Sequence, residues 1–382
     1  MSLLELDVRM TFDKFTLAVE NTIALEGITA LFGHSGSGKT TLLRIIAGLE
    51  HNATGRVAFN SETWQCNSGR TFMPAFRRAV GYVFQDARLF NHLDVAGNLA
   101  FAQCRASRHS TTLNRDTVVK ALDLSGLLSR TPYTLSGGER QRVALARSLL
   151  TVPRMILMDE PLASIDGRRK REILPYIERL PRDFGVPVIY VTHAIDEVAA
   201  MAENMLLMSE GRIVATGPVT EILSRLDLFP LTGRFEAGAV IEARVIAHDI
   251  GDHLTDVAFA GGQLSIPLVD IPVGSPLRVR IRARDVVLAM GETTGLSANN
   301  ALHGVISGIR EDAGAMVDVQ ITCGSAQVIS RVTRRSVRRL SLALGTAVIA
   351  IVKSITIDSH RGNPPQQIPQ KQSSGGDIAP EP

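Results

Sequence analysis

Gly33-His34-Ser35-Gly36-Ser37-Gly38-Lys39-Thr40 decides how this 382-residue chain is read. The stretch fits G-x-x-x-x-G-K-[ST], a glycine-rich turn whose backbone N–H groups wrap an anion. Its flanks are the ones that pattern requires. Ile28-Thr29-Ala30-Leu31-Phe32 is a short apolar, β-prone run and reads as a buried strand. Leu42, Leu43, Ile45 and Ile46 recur at helical spacing until Gly48 supplies a stop. Strand, glycine turn and helix N-terminus together make a phosphate site. Lys39 would reach the β- and γ-phosphates of a nucleotide, and the Thr40 hydroxyl would sit on Mg²⁺.

Upstream of the loop, Leu4, Leu6 and Val8 alternate with polar positions, and so do Phe15, Leu17 and Val19, which predicts strands. Phe12 and Phe15 are the only nearby aromatics that could meet an adenine ring, and the pattern assigns both to the core. Downstream, residues 48–81 form a polar, Gly-rich stretch around Trp64. Val80-Gly81-Tyr82-Val83-Phe84-Gln85 then reads as a strand ending in glutamine. Residues 86–134 carry a helical pattern anchored by Leu122, Leu124, Leu127 and Leu128, an insertion between two parts of a parallel sheet.

Ser136-Gly137-Gly138-Glu139 reads as a helix start, with the helix running to Pro153. Its N–H groups face no bulky side chain, so it is either a second anion site or simply a capped helix. Met155-Ile156-Leu157-Met158 suits a central parallel strand and ends in Asp159 and Glu160. Ligands in open α/β sheets gather at the carboxyl ends of strands, where these acids emerge. Asp159 can hold Mg²⁺ through water, and Glu160 can orient or deprotonate an attacking water. Pro187-Val188-Ile189-Tyr190-Val191-Thr192 is another buried-strand pattern, with His193 at its end. The charge run Gly167-Arg168-Arg169-Lys170-Arg171-Glu172 reads as a solvated turn entering a helix. No aromatic or groove-reading motif accompanies it, which argues against a nucleic-acid partner.

A hydrophobic content of 45% and a net charge of +3 describe an ordinary globular chain, too weakly basic to imply nucleic acid. Cys66, Cys104 and Cys323 are too scattered for a disulfide framework or a zinc site and suit a reducing compartment. The N-terminus lacks a signal pattern, and the apolar run Ala347–Val352 is strand-sized rather than membrane-spanning. If the protein works at a membrane, other subunits do the spanning.

From about Glu236 the grammar changes to short alternating strands with Gly/Pro turns, as in Arg278-Val279-Arg280-Ile281-Arg282-Ala283-Arg284. That is the pattern of a small all-β, OB-like barrel. Ala283-Arg284-Asp285-Val286 and Val352-Lys353-Ser354-Ile355 occupy equivalent places, suggesting two similar β units. The expected organisation is an α/β domain over 1–233 with its helical part at 86–134, β units at 234–290 and 291–358, and a disordered Pro/Gln/Ser-rich tail at 359–382.

The phosphate loop, Gln85, Ser136-Gly137-Gly138-Glu139-Arg140-Gln141, Asp159-Glu160 and His193 follow one another in the order that resembles the ATP-binding subunit of an ABC transporter, over residues 1 to about 230. The resemblance implies a P-loop NTPase fold and an ATPase using ATP and Mg²⁺. It implies that Gln85 contacts the metal and attacking water, that Asp159 supports Mg²⁺, that Glu160 is the catalytic carboxylate and that His193 contacts the γ-phosphate. Ser164-Ile165-Asp166 resembles the loop that crosses between subunits. Ser136, Gly137 and Gly138 would serve the ATP held by a partner, so that a homodimer sandwiches two nucleotides head to tail. An integral membrane permease would dock on the helical insertion, placing the chain peripherally on the cytoplasmic face of the inner membrane.

Gly81-Tyr82-Val83-Phe84-Gln85-Asp86-Ala87-Arg88-Leu89-Phe90, Gly97-Asn98-Leu99 and Arg169-Lys170-Arg171-Glu172-Ile173-Leu174-Pro175-Tyr176 are similar to the molybdate importer ATPases. That implies molybdate, and tungstate, as cargo, delivered by an external molybdate-binding protein. The second β unit resembles the molybdate-binding (Mop/TOBE-like) domain, with Thr333, Ser336, Lys353 and Ser354 at oxyanion positions. Asn299 departs from it, standing where the family usually has arginine; helping to dimerise the ATPase is the unit's other role. Sulfate, iron(III) or a polyamine is the alternative cargo. A soluble ABC ATPase acting on DNA or ribosomes, or an oxyanion-binding regulator with a degenerate ATPase, is the alternative class.

Overall fold

The computed structural model describes residues 2–106, 113–232, 238–291, 295–311, 313–353 and, for the backbone only, 356–359. Part of the helical insertion, the junction near residue 233, Ser354 and the tail from residue 360 therefore lie outside the described residues.

Strands β1 (Ser2–Phe12) and β2 (Phe15–Leu25) pair antiparallel along their whole length, and the alternating Leu4, Leu6, Val8, Leu17 and Val19 are buried. β3 (Ile28–Phe32) leads through the glycine loop into α1 (Lys39–Ala47), which Gly48 ends. The stretch read only as polar and Gly-rich folds into β4 (Thr54–Phe59), β5 (Glu62–Cys66) and β6 (Thr71–Phe72). These complete an antiparallel sheet of order β2-β1-β4-β5-β6, with Trp64 packed on Phe59.

The chain continues through β7 (Val80–Val83), α2 (Val95–Gln103), α3 (Arg115–Ala121), α4 (Gly137–Leu149) and β8 (Met155–Asp159). It goes on to α5 (Gly167–Phe184), β9 (Val188–Thr192), α6 (Ile195–Met201), β10 (Asn204–Ser209) and β11 (Arg212–Pro218). The second sheet has the order β11-β10-β3-β9-β8-β7, parallel except for β11. Side-chain alternation divides its strands between two cores. Leu31, Met155, Leu157, Ile189 and Val191 pack with α1 and the antiparallel sheet, while Ala30, Ile156, Met158, Val188 and Tyr190 pack with the helical side. The charge run at residues 167–172 is the exposed entry to α5.

Short helices α7 (Val219–Ser224) and α8 (Phe229–Thr232) lead to the C-terminal half. There β12 (Gly238–Asp249), β13 (Leu254–Phe259), β14 (Gly262–Pro267), β15 (Pro276–Arg282) and β16 (Val286–Ala289) are followed by β17 (Asn300–Glu311), β18 (Met316–Cys323) and β19 (Ala326–Thr333). The last elements are α9 (Arg334–Arg339), β20 (Ala347–Val352) and β21 (Thr356–Ser359). They form two five-stranded sheets, β14-β13-β12-β15-β21 and β16-β20-β17-β18-β19. The two units read from sequence exchange their last strands: β16 joins the second sheet beside β20, and β21 returns to the first beside β15. The repeated segments mark the crossing, where Val286 pairs with Val352 and the Lys353 N–H donates to the Asp285 carbonyl at 3.0 Å. One apolar core, from Ile241 to Val352, fills both sheets.

Candidate nucleotide site

The turn between β3 and α1 is shaped by close approach. A Cβ on Gly33 would lie 2.2 Å from the Met208 carbonyl oxygen, and Gly38 sits at φ 100° with the Phe15 ring beside it. Gly38 caps α1 without any side chain, so the first-turn N–H groups have no capping acceptor. Lys39 is buried, and its Nζ donates to the carbonyls of Gly33 and His34, both at 2.8 Å. Burial lowers its pKa, an effect that Glu160 and Asp159 oppose. The buried Ser37 hydroxyl has no partner. A cradle of unsatisfied donors, roofed by an ammonium group, fits a chain of phosphates.

Thr40 Oγ1 donates to Asp159 Oδ1 at 2.8 Å, joining the start of α1 to the end of β8. The Tyr82 hydroxyl donates to the other oxygen, Oδ2, at 3.1 Å. Burial, then the neighbouring Asp159 charge, raises the Tyr82 pKa far above the phenol range, so it stays a donor. Glu160 adopts φ 44°, a left-handed conformation that costs a non-glycine residue roughly 1–2 kcal/mol. Its N–H still donates to the Val191 carbonyl at 3.1 Å, while its Oε2 lies 3.2 Å from His193 Nδ1. Behind His193, the buried Glu197 accepts from Thr192 (2.7 Å), Tyr190 (2.9 Å) and Lys170 (2.8 Å). This network fixes the end of β9.

The remaining expected residues fall elsewhere. Gln85 lines a separate cleft with Gly137, Arg140, Gln141, Ser164 and Ile165, whereas Lys39, Thr40 and Glu160 share theirs with Phe12 and Phe15. Ser136 and Glu139 form a reciprocal cap, Ser136 Oγ accepting from the Glu139 N–H (3.3 Å) and Glu139 Oε2 from the Ser136 N–H (2.6 Å). Helix α4 is capped, and Gly137 lines the Gln85 cleft rather than the loop's own pocket. Thr333 Oγ1 and Ser336 Oγ lie 3.0 Å apart at the cap of α9. Lys353 follows the end of β20, which β17 and β18 separate from β19 in the sheet order, and Ser354 is outside the described residues.

Sequence reasoning missed Phe12 and Tyr82. Phe12 is 41% exposed, its ring 6.2 Å from that of Phe15; both border the glycine loop, and Phe15 also packs against the core behind it.

A parallel sheet whose strand ends present a glycine loop, a threonine–aspartate pair and a carboxylate–histidine pair defines an ATP-binding subunit of an ABC transporter. The ABC transporter family model matches residues 18–163, and the TOBE domain model matches residues 296–356. The Molybdenum import ATP-binding protein ModC of Albidiferax ferrireducens is 46% identical over 354 residues, 93% of this chain and 96% of its own length. The protein of the same name from Methylococcus capsulatus is 47% identical over 344 residues, 90% of this chain and 96% of its own. The chain belongs to the family of molybdenum import ATP-binding proteins. Among solved structures, cbiO1 from Clostridium perfringens, part of the ABC transporter complex cbiONQ, superposes with a TM-score of 0.50 at 26% identity, covering 59% of this chain and 92% of that one. Among the described residues, no helix is long and apolar enough to cross a membrane.

Proposed function

We propose that the chain is the ATP-hydrolysing motor of a molybdate importer and works as a head-to-tail homodimer beneath a membrane permease. The observation that carries the chemistry is the 2.8 Å bond between Thr40 and Asp159, residues 119 apart in sequence that meet at the mouth of the glycine loop. Phosphates entering the loop replace the Gly33 and His34 carbonyls as partners of Lys39 and take the N–H groups of residues 33–40. Phe12 and Phe15 offer the adenine ring a face. Thr40 and Asp159 are the residues that would hold Mg²⁺, and Gln85, which lines the other cleft here, would have to turn toward them to join. Among the described residues no cluster of three or more His, Cys, Asp or Glu side chains would hold a metal unaided, which suits an ion that arrives with phosphates. When bound, the ion neutralises charge building on the transferred group.

Glu160 then accepts the proton of the attacking water, and His193 leaves its carboxylate to meet the γ-phosphate. Within one chain Gly137, at the tip formed by Ser136, Gly137 and Gly138, lines a different cleft from Lys39, which supports a second copy supplying that tip. Phosphoryl transfer is mostly positioning, so dividing the parts between copies ties hydrolysis to dimer closure. The cargo follows the family: molybdate, with tungstate as its near isostere, handed over by an external binding protein, the motor sitting on the cytoplasmic face of the inner membrane. Thr333, Ser336, Lys353 and Ser354 are proposed oxyanion contacts, which calorimetry of the full chain with molybdate tests.

Glu160→Gln should slow hydrolysis by roughly 10²–10⁴-fold while ATP stays bound. Single-turnover hydrolysis alongside a nucleotide titration checks this, and a normal rate would remove Glu160 from its role. Loss of molybdate uptake in a strain carrying only that variant tests the transport reading.

A further inference from the structure

Along β15, Leu277, Val279 and Ile281 face the shared core, and Arg278, Arg280 and Arg282 alternate with them on the opposite face. Here the side chains are only 6%, 1% and 22% exposed, because this face lies on the ATPase half. Arg280 pairs with the Asp196 carboxylate, and Arg282 Nη2 lies 3.6 Å from the same Oδ1. Arg278 Nη1 donates to the Ala202 carbonyl at 2.5 Å. Asp196 is in the first turn of α6 and Ala202 is its C-cap, so the strand grips the helix at both ends.

α6 begins two residues after His193. Asp196 and His193 line one cleft together with Glu160, Gly33 and His34. On the neighbouring position of the same turn, Glu197 is fixed by Lys170, Tyr190 and Thr192 from within the ATPase half. The first turn of α6 is therefore held from two sides, one of them supplied by the C-terminal half.

We infer that Arg280 and Arg282, acting through Asp196, are positioning residues for ATP hydrolysis: they set where α6 stands, and with it where His193 stands relative to Glu160. The inference rests on the proposed role of His193 at the γ-phosphate. A guanidinium this deeply buried needs carboxylate charge beside it, and Asp196 supplies such charge from α6. Loss of Asp196 frees the helix turn next to the histidine while leaving the core filled, since its side chain is 57% exposed. Hydrolysis then depends on how the β half sits on α6, a mechanical link from the C-terminal domain to the chemistry within one chain.

The test uses the full-length protein and compares Asp196→Asn, Asp196→Glu and His193→Ala with the parent. Asp196→Asn is expected to lower kcat by about 10-fold with KM for ATP within about 2-fold, since misplacing a catalytic group by ~1 Å costs up to ~10²-fold. Its thermal midpoint falls somewhat, because the buried Arg280 loses a carboxylate neighbour, but kcat is read well below that midpoint, where the chain is folded. Asp196→Glu, which keeps the charge, recovers most of the rate. A normal kcat in Asp196→Asn overturns the inference. So does a fall in kcat that merely follows a fall in thermal midpoint and is not recovered by Asp196→Glu, which would make the pair structural. His193→Ala separates the two layers. If it abolishes turnover while Asp196→Asn is normal, only this inference fails; if it turns over at the parent rate, the proposed role of His193 fails as well.

Discussion

Lys39 holds a charge where the fold disfavours one. Its amine is buried against two carbonyls, and burial brings its pKa below 10.5 even with Glu160 and Asp159 nearby. A lowered lysine pKa means that the folded chain binds its proton less tightly than the unfolded chain does. The resulting destabilisation is full below the folded pKa and disappears as pH rises to the unfolded value. Added phosphate charge acts in the opposite direction and strengthens the proton's hold. ATP affinity is therefore expected to fall as pH rises through the lowered pKa, with proton uptake on binding in that range. Calorimetric titrations in two buffers of different ionisation enthalpy measure both, and Lys39→Ala should remove the dependence along with most of the binding. Lys39, Thr40, Asp159 and Glu160 were legible in sequence because their spacing is dictated by phosphate geometry and by strand ends. Tyr82 was not, since a tyrosine on a buried strand reads as core until its hydroxyl is seen on Asp159. Phe12 misled for a different reason: the alternation along β1 puts it inward, but the sheet ends at the Phe12–Phe15 pair and leaves no core to enter.

At the scale of elements, α1 is secured at the end remote from the phosphates. Arg78, which lies in the stretch read as polar and Gly-rich, is buried, and its Nη1 donates to the Ile45 and Ile46 carbonyls at 2.8 and 2.7 Å. Its Nε donates to the Met73 carbonyl at 2.9 Å, and the guanidinium stands 5.6 Å from the Trp64 ring and 5.4 Å from Phe72. Burial lowers its pKa to about 10. A cation at the negative end of the helix dipole, bonded to the terminal carbonyls, ties α1 to β5 and β6. Arg78→Met should destabilise the protein by about 3 kcal/mol by leaving those carbonyls unpaired. The urea midpoint is expected to fall with an unchanged slope, and Arg78→Lys should recover little, because a point charge cannot bridge the same acceptors. The parallel sheet could be read from sequence because buried strands are continuous apolar runs. β4, β5 and β6 could not, because they are short and β4 owes its pairing to β1, far upstream in the register Leu4↔Phe59, with β5 and β6 added onto β4 in turn.

For the whole molecule, the separation of Ser136–Gly138 from Lys39 predicts complementation. Lys39→Ala removes a chain's own phosphate grip, and Gly138→Asp blocks the helix tip it lends to another. Each variant alone should be inactive as a homodimer. Mixed, they form dimers in which one pocket combines the intact loop of one chain with the intact tip of the other, and hydrolysis should return. Its failure to return, with mixed dimers verified by mass, would argue against a shared site. The β half was legible as short alternating strands, and the repeat around Asp285 and Lys353 was visible. Which sheet each final strand joins was not, because β16 and β21 are short and their partners are decided by where the chain crosses over.

That crossing sets an order of events during synthesis. β21, at residues 356–359, is the edge partner of β15 through Arg278↔Ser359 and Arg280↔Thr356. The nucleotide-binding half can fold while the rest of the polypeptide is still being made. The strand that grips α6, already paired with β12, gains its second neighbour only after the last part of the β half has left the ribosome. A prematurely terminated chain would thus carry a complete phosphate loop on an unfinished clamp, leaving cells with a nucleotide binder whose firing is not yet under the control of its own C-terminal half.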